Sequence, residues 1–257
     1  MSVLILMYHG VERTEGPLFV DPALFSEQLK AIAASGLAVL TIGEVGDRLR
    51  EGRLPAGAVA LTFDDAFASV VEEAAPRLQE HGLRATVFCV AGRIGGTNAW
   101  PTARPGAPRV DLADAAGLSR LAEQGFEIGS HGIDHAPLDT TDEDEIRSEL
   151  AGSRAELERM FGVQVRSFAY PYGATASAAA RVQVSKSYTA ACTTRIGRVE
   201  EGSDPFALPR VDAYYLRSPR TFASVLAGRA GGYLALRRFA ASMRRRVRHD
   251  YVRRSGR

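Results

Sequence analysis

AVALTFDDAFASVVEEAAPRLQEHGLRATVFCV, residues 58–90, holds one complete strand–helix–strand unit. Ala58–Phe63 is an apolar run of strand length, and Phe67–Glu80 reads as a helix stopped by Gly82. Ala85–Val90 is a second apolar run. Two nearly continuous apolar strands joined by a helix indicate parallel strands covered on both faces.

The unit recurs on either side. Upstream, Val3–Met7 reads as a strand, and Asp21-Pro22 opens a helix with Leu24, Phe25, Leu29 and Ile32 on one stripe and Gly36 at its end. Ala38–Leu40 is a short strand, and Thr41-x-x-Glu44 is a capping-box signature for a helix ending near Gly52. Downstream, Gly92–Asp111 reads as a long loop, Leu112–Gln124 as a helix, Phe126–Ile128 as a strand and Glu143–Phe161 as the clearest helix. Val165–Tyr170 and Tyr188–Cys192 are further strands. Six to eight such units without a Pro/Ser linker predict an α/β fold, a closed or nearly closed barrel. An open doubly wound sheet is the alternative. There is no G-x-G-x-x-G, no Walker motif and no internal repeat.

With 257 residues, 46% hydrophobic and 24% charged, the chain is neither disordered, collagen-like nor a disulfide-stapled mini-protein. It is long enough to need no metal for folding, so a metal site would have to serve function. The net charge of +2 is uneven. Nine arginines against Asp250 give residues 237–257 a charge of +8, and the rest is mildly acidic. That division predicts a catalytic domain over residues 1–236 and a basic tail over 237–257. The tail reads as a solvated end, with contact to an anionic membrane as the alternative and nucleic acid disfavoured. Cys89 and Cys192 lie in apolar stretches and read as buried free thiols of a reducing compartment. MSVLILMYHG has five apolar residues in a row, short of a secretory or membrane-spanning segment, so the expected location is cytoplasmic, at most peripheral to a membrane.

Reactive side chains cluster just after predicted strands, where parallel barrels carry active sites. Asp64 and Asp65 follow Ala58–Phe63; Ser130, His131 and His135 follow Phe126–Ile128; Tyr172 follows Val165–Tyr170; His9 follows Val3–Met7. Adjacent buried carboxylates repel unless a cation joins them. The bland alternative makes Asp65 the N-cap of the Phe67 helix, with Asp64 a solvated neighbour. His131 and His135 have three residues between them, in a loop by the evidence of Gly132 and Pro137. With Asp65 they make an Asp-His-His set with open positions, the layout of a catalytic metal centre.

LTFDDA (61–66), GSHGIDH (129–135) and FAYPYG (168–173), in this order, resemble the first three motifs of the polysaccharide deacetylases. LMYHGV (6–11), QLKAIAASGLAVLTIGE (28–44) and RATVFCV (84–90) resemble the branch related to poly-N-acetylglucosamine deacetylases. The resemblance spans about residues 3–226. It implies a distorted (β/α) barrel of about seven strand–helix units and a divalent metal: zinc, or alternatively cobalt or nickel. It further implies hydrolysis of an acetamide on an N-acetylated carbohydrate, a polymer or a small or lipid-linked precursor. An inactive glycan-binding homologue is the alternative, and the oligomeric state stays open. A glycosidase fits poorly, since its two carboxyls flank the scissile bond some ~5–9.5 Å apart.

Carried over by motif, Asp64 matches the general base, Asp65, His131 and His135 the metal ligands, and Tyr172 the backbone N–H donor to the oxyanion. The usual C-terminal acid histidine is absent, and His9 matches the acid of the related branch. Three positions depart: Ala66 for glycine, Gly132 for a bracing serine or threonine, and Ala169 for a base-orienting arginine. By similarity, Arg210 is the residue that would replace that arginine.

Overall fold

A computed structural model describes residues 1–14, 16–102, 109–138, 142–173 and 177–241. In chain order its strands are β1 (Ser2–Tyr8), β2 (Gly10–Val11), β3 (Phe19–Val20), β4 (Ala38–Val39), β5 (Ala58–Phe63), β6 (Thr86–Cys89), β7 (Glu127–Ser130), β8 (Ser167–Ala169), β9 (Ala190–Ile196), β10 (Val199–Glu200) and β11 (Leu208–Asp212). Parallel pairing runs β1-β11-β9-β8-β7-β6-β5, and β5 pairs back onto β1, closing a seven-stranded barrel. The open-sheet alternative is thereby excluded. Short β4 lies beside β5, β10 runs antiparallel to β1, and β2 pairs with β3 apart.

The helices are α1 (Pro22–Ala34), α2 (Ile42–Arg50), α3 (Ala75–Glu80), α4 (Ala115–Glu123), α5 (Glu143–Arg147), α6 (Ser153–Phe161), α7 (Ala178–Ser187) and α8 (Pro219–Leu226). Asp21 caps α1 and the Thr41/Glu44 capping box opens α2, as their sequences require. The predicted helix Phe67–Glu80 starts late: Phe67 bridges to Leu112, and a π-helical turn, Val70–Ala74, precedes α3. Leu112 is held in the same bridge, so α4 begins only after its cap, Asp114. A second π-helical turn, Ser148–Gly152, sits between α5 and α6 inside the predicted helix Glu143–Phe161. Strand β11 and helices α7 and α8 complete the barrel beyond the expected elements.

Side-chain alternation divides the core in two. Val3, Ile5, Ala58, Ala60, Phe88, Ala169, Ala190, Cys192 and Leu208 fill the barrel interior, and Ile42 and Val45 of α2 stopper its lower end. Phe88 takes its room from Gly129, where a Cβ would lie 2.5 Å from its ring. Leu4, Leu6, Val59, Leu61 and Val87 point outward under the helices. Both cysteines are buried and free. No helix among the described residues is long and apolar enough to cross a membrane. Residues 231–241 are helical, and Arg237 lies over the rings of Tyr215 and Tyr233. Residues 242–257 of the predicted tail lie outside the described residues.

Candidate active site

The alternation that turns Ala58 and Ala60 inward does the same for Thr62 and Asp64 at the upper end of β5. From β11, Arg210 enters the same space as a fully buried guanidinium. Its two terminal nitrogens donate to the two carboxylate oxygens of Asp64 at 2.6 and 2.7 Å. Further bonds go to Thr62 Oγ1 (3.1 Å) and the Thr193 carbonyl (3.0 Å). A two-pronged pair of this kind fixes the direction of the carboxylate as well as its charge. His9 follows β1, and the Asp64 N–H donates to the Tyr8 carbonyl at 2.9 Å, extending the β1–β5 ladder. His9 therefore flanks Asp64.

Asp65 turns elsewhere. Its φ is +70° and that of Ala66 +56°, left-handed values that non-glycine residues rarely adopt. The N-cap reading for Asp65 fails, because a cap needs extended backbone and the helical turn starts only beyond Ser69. The solvated reading of Asp64 fails too, since it is buried. Asp65 Oδ1 lies 3.5 Å from His131 Nε2 and 3.4 Å from His135 Nε2. Among the described residues these three form the group that could hold a metal, with ligand atoms within 4.8 Å of one another. Around a tetrahedral ion with ligands at ~2.0–2.1 Å, neighbouring ligand atoms stand about 3.3 Å apart. The two Asp–His separations match. Asp65 Oδ1 is buried and has no hydrogen-bond partner, the state expected of a ligand atom awaiting a cation. The residues fit a divalent ion.

The two histidines are oriented by different means. His131 Nδ1 lies 2.7 Å from the Ala169 carbonyl, which sets the tautomer that leaves an Nε2 lone pair towards Asp65. His135 Nδ1 has no partner, and its ring is held instead by aromatic contacts. Trp100 stacks on it (4.7 Å between centroids, 22°) and Tyr172 meets it edge-on (4.6 Å, 78°). Thr102 Oγ1 lies 2.8 Å from the Tyr172 hydroxyl. The four non-glycine residues with positive φ among those described are Asp65, Ala66, His135 and Tyr172. Strain of ~1–3 kcal/mol per such residue, gathered in three neighbouring loops, is typical of a functional site.

Charge follows the same division. Burial works against ionisation of Asp64, but Arg210, aided by His131 and His9, holds its carboxyl far below the usual range. Burial and the neighbouring Asp64 charge drive Asp65 well above that range, Arg210 offsetting only part. Burial pushes His131 down to about 4, with Asp64 and the Ala169 bond opposing. Burial and His131 push His135 down to about 2. Both imidazoles are thus neutral near pH 7, as ligands must be. Burial also lowers His9, against the pull of Asp64.

All seven residues singled out from the sequence lie at this end of the barrel. Missing from the sequence reading were Trp100, Thr102, Thr62 and Glu149. Trp100 is the one tryptophan of the chain, which was its available signal.

The description Polysaccharide deacetylase matches residues 51–191. Among curated relatives, the Bacillus subtilis protein YxkH, named for the same family, is 27% identical over 208 residues, covering 80% of this chain and 70% of its own. Poly-beta-1,6-N-acetyl-D-glucosamine N-deacetylase of Staphylococcus aureus is 25% identical over 163 residues, covering 60% of this chain and 53% of the enzyme. The Streptococcus pyogenes deacetylase PplD superposes with a TM-score of 0.76 at 24% identity, over 88% of this chain and 98% of that one. IcaB from Ammonifex degensii gives 0.74 at 23%, over 88% and 96%. These two likenesses speak for the barrel alone. The matched segment takes in more than half of the chain, with Asp64, Asp65, His131, His135 and Tyr172, and the protein belongs to the polysaccharide deacetylase family.

Proposed function

We propose that the protein is a divalent-metal-dependent hydrolase that removes N-acetyl groups from an acetylated amino sugar, releasing acetate. The observation that carries this is the buried Asp65–His131–His135 group, with an unpaired ligand oxygen, beside an Asp64 locked by Arg210. The Staphylococcus aureus relative supports an N-acetylated glucosamine polymer as the substrate class, and a small or lipid-linked precursor presents the same acetamide.

Asp65 Oδ1, His131 Nε2 and His135 Nε2 would hold the ion, zinc by the chemistry of a nitrogen- and oxygen-donor set. Bound there, a divalent ion supplies a Lewis acid and makes water acidic enough to attack near neutral pH. Asp64 takes the proton from the attacking water. Arg210 keeps that carboxylate ionised at every working pH, at a cost in basicity that an acidified water tolerates. Tyr172 sits on the Pro171–Gly173 turn over His135, and its backbone N–H donates to the oxyanion that forms on the acetyl carbon. His9 gives a proton to the leaving amine, the neighbouring Asp64 charge favouring its protonated form against burial and Arg210. The basic segment 237–257 is proposed as an appendage to this catalytic unit.

Zinc-loaded protein should release acetate from N-acetylglucosamine oligosaccharides, and chelation should stop it until zinc is returned. No release from oligosaccharide, monosaccharide or lipid-linked acetamide would refute the reading. His9→Ala should slow acetamide cleavage while sparing an activated acetate ester, whose leaving group needs no proton. Equal slowing of both substrates would remove His9 from the role of acid.

A further inference from the structure

The turn from His131 to His135 carries two of the three proposed ligands, and other elements shape its backbone. On one side the N–H groups of Ala91 and Gly92 donate to the carbonyls of Gly132 (2.8 Å) and Ile133 (2.9 Å). On the other stands Glu149, at 8% exposure, inside the π-helical turn Ser148–Gly152. Its carboxylate accepts from the Ile133 N–H at 2.8 Å and the Asp134 N–H at 3.3 Å. Ala136 adds a further backbone bond. Among the described residues Glu149 makes no ion pair, so a nearly buried carboxylate is committed to the backbone of this one turn. Such a group is costly to retain for packing alone.

Gly132 completes the arrangement. Its φ is +87°, and a Cβ there would stand 2.4 Å from Glu149 Oε2. The carboxylate thus fills the space that a side chain at position 132 would need. One turn further on, Ser153 Oγ lies 2.7 Å from Ser130 Oγ, tying the same helix to the residue before His131. π-Helical turns inside α-helices occur often at functional sites, where they redirect a side chain that a regular helix would misplace.

We propose that Glu149 is a positioning residue: through the Ile133 and Asp134 N–H groups it fixes the backbone between His131 and His135. It thereby fixes the separation of the two imidazoles. The proposal rests on the metal-site reading above, and zinc affinity tests the two separately. Zinc binding to metal-stripped protein is measured by titration calorimetry for wild type, Glu149→Ala, Glu149→Gln, Gly132→Ala and the double variant Gly132→Ala/Glu149→Ala. Circular dichroism and metal-free melting temperatures are recorded alongside.

Glu149→Ala should weaken zinc binding about 10- to 100-fold, the usual range for a residue that orients ligands. Glu149→Gln keeps one acceptor oxygen and should recover part of that loss. Gly132→Ala should weaken zinc as well, and the two losses should not multiply in the double variant because they share one contact. If Glu149→Ala does not fold, Glu149→Gln decides alone by its intermediate affinity. Folded Glu149 variants that bind zinc like wild type, with only a lower melting temperature, would overturn the proposal. Absence of zinc binding by wild type would instead overturn the metal reading on which it depends.

Discussion

The two ends of the barrel are built from similar groups used in opposite ways. At the lower end, Glu127 at the start of β7 accepts from the Gly43 N–H (2.9 Å) and from Thr86 Oγ1 (2.9 Å), and Arg166 pairs with Asp47 (2.6 Å). Every one of these acids has a donor. At the upper end, Asp64 is saturated by Arg210, while Asp65 keeps an unpaired buried oxygen beside two neutral imidazoles. The lower end is satisfied and serves stability. The upper end holds an unpaired acid and four strained residues, a cost that folding alone does not explain.

The largest effect that separates the ends is expected from His131→Ala. Wild type should hold about one equivalent of zinc, and the variant almost none, with acetate release lost. Metal content unchanged in the variant would break the comparison at its centre. Next, Asp64→Asn should retain zinc and lose turnover by ~10²–10⁴-fold. It also leaves the buried Arg210 without its counter-charge, so its melting temperature should fall, by about 3–5 kcal/mol of stability. Loss of zinc together with activity would reverse the assignment of the two aspartates.

A pair of variants sharpens the contrast in stability. Asp65→Asn replaces an acid that burial and Asp64 keep from ionising by an amide that needs no proton, so it should raise the melting temperature of metal-free protein at alkaline pH while abolishing zinc binding. Glu127→Ala strands the Gly43 N–H and the Thr86 hydroxyl, and should cost about 1–3 kcal/mol without touching acetate release. If both variants shift stability in the same direction, the two ends do not differ as described.

The smallest expected effect is a pH dependence at Asp212, the last residue of β11. Burial raises its pKa from 3.8 to about 6, against a bond from the Tyr214 N–H and the pull of Arg210. Between those values the folded protein keeps a proton that the unfolded chain releases, so this group lowers stability as pH rises from about 4 to 6. Asp212→Asn retains the acceptor for Tyr214 and should melt higher than wild type at pH 7 and equally at pH 4. Thermal melts at both values check the sign.

Much of this architecture was legible beforehand. Ala58–Phe63 was bounded by its own apolar run, α1 by Asp21-Pro22, and α2 by the Thr41/Glu44 box, because these signals are local. Strand β11 was not, since Pro209 and Arg210 interrupt any apolar run, and Arg210 makes sense only beside Asp64, 146 residues away. The late starts of the helices after Phe67 and Leu112 come from a bridge between those two residues. The Asp-His-His set was visible because two strand ends, those before Asp65 and before His131, announced it. Trp100 and Glu149 stayed hidden, since one lies in a loop without periodicity and the other looks like any helical glutamate. Their meaning comes from a ring and a turn that approach only in the folded chain.

The α2 stopper has a consequence for traffic. A vessel plugged at its base has one door, so substrate and both products share it. Were the acetylated glycan proposed above the substrate, its acetyl group would have to enter from the rim and the acetate to leave the same way, so a chain still seated there would stand in the path of the product. Release from a long polymer would then be tied to how readily it moves along the rim, whereas a short fragment would clear the way by leaving.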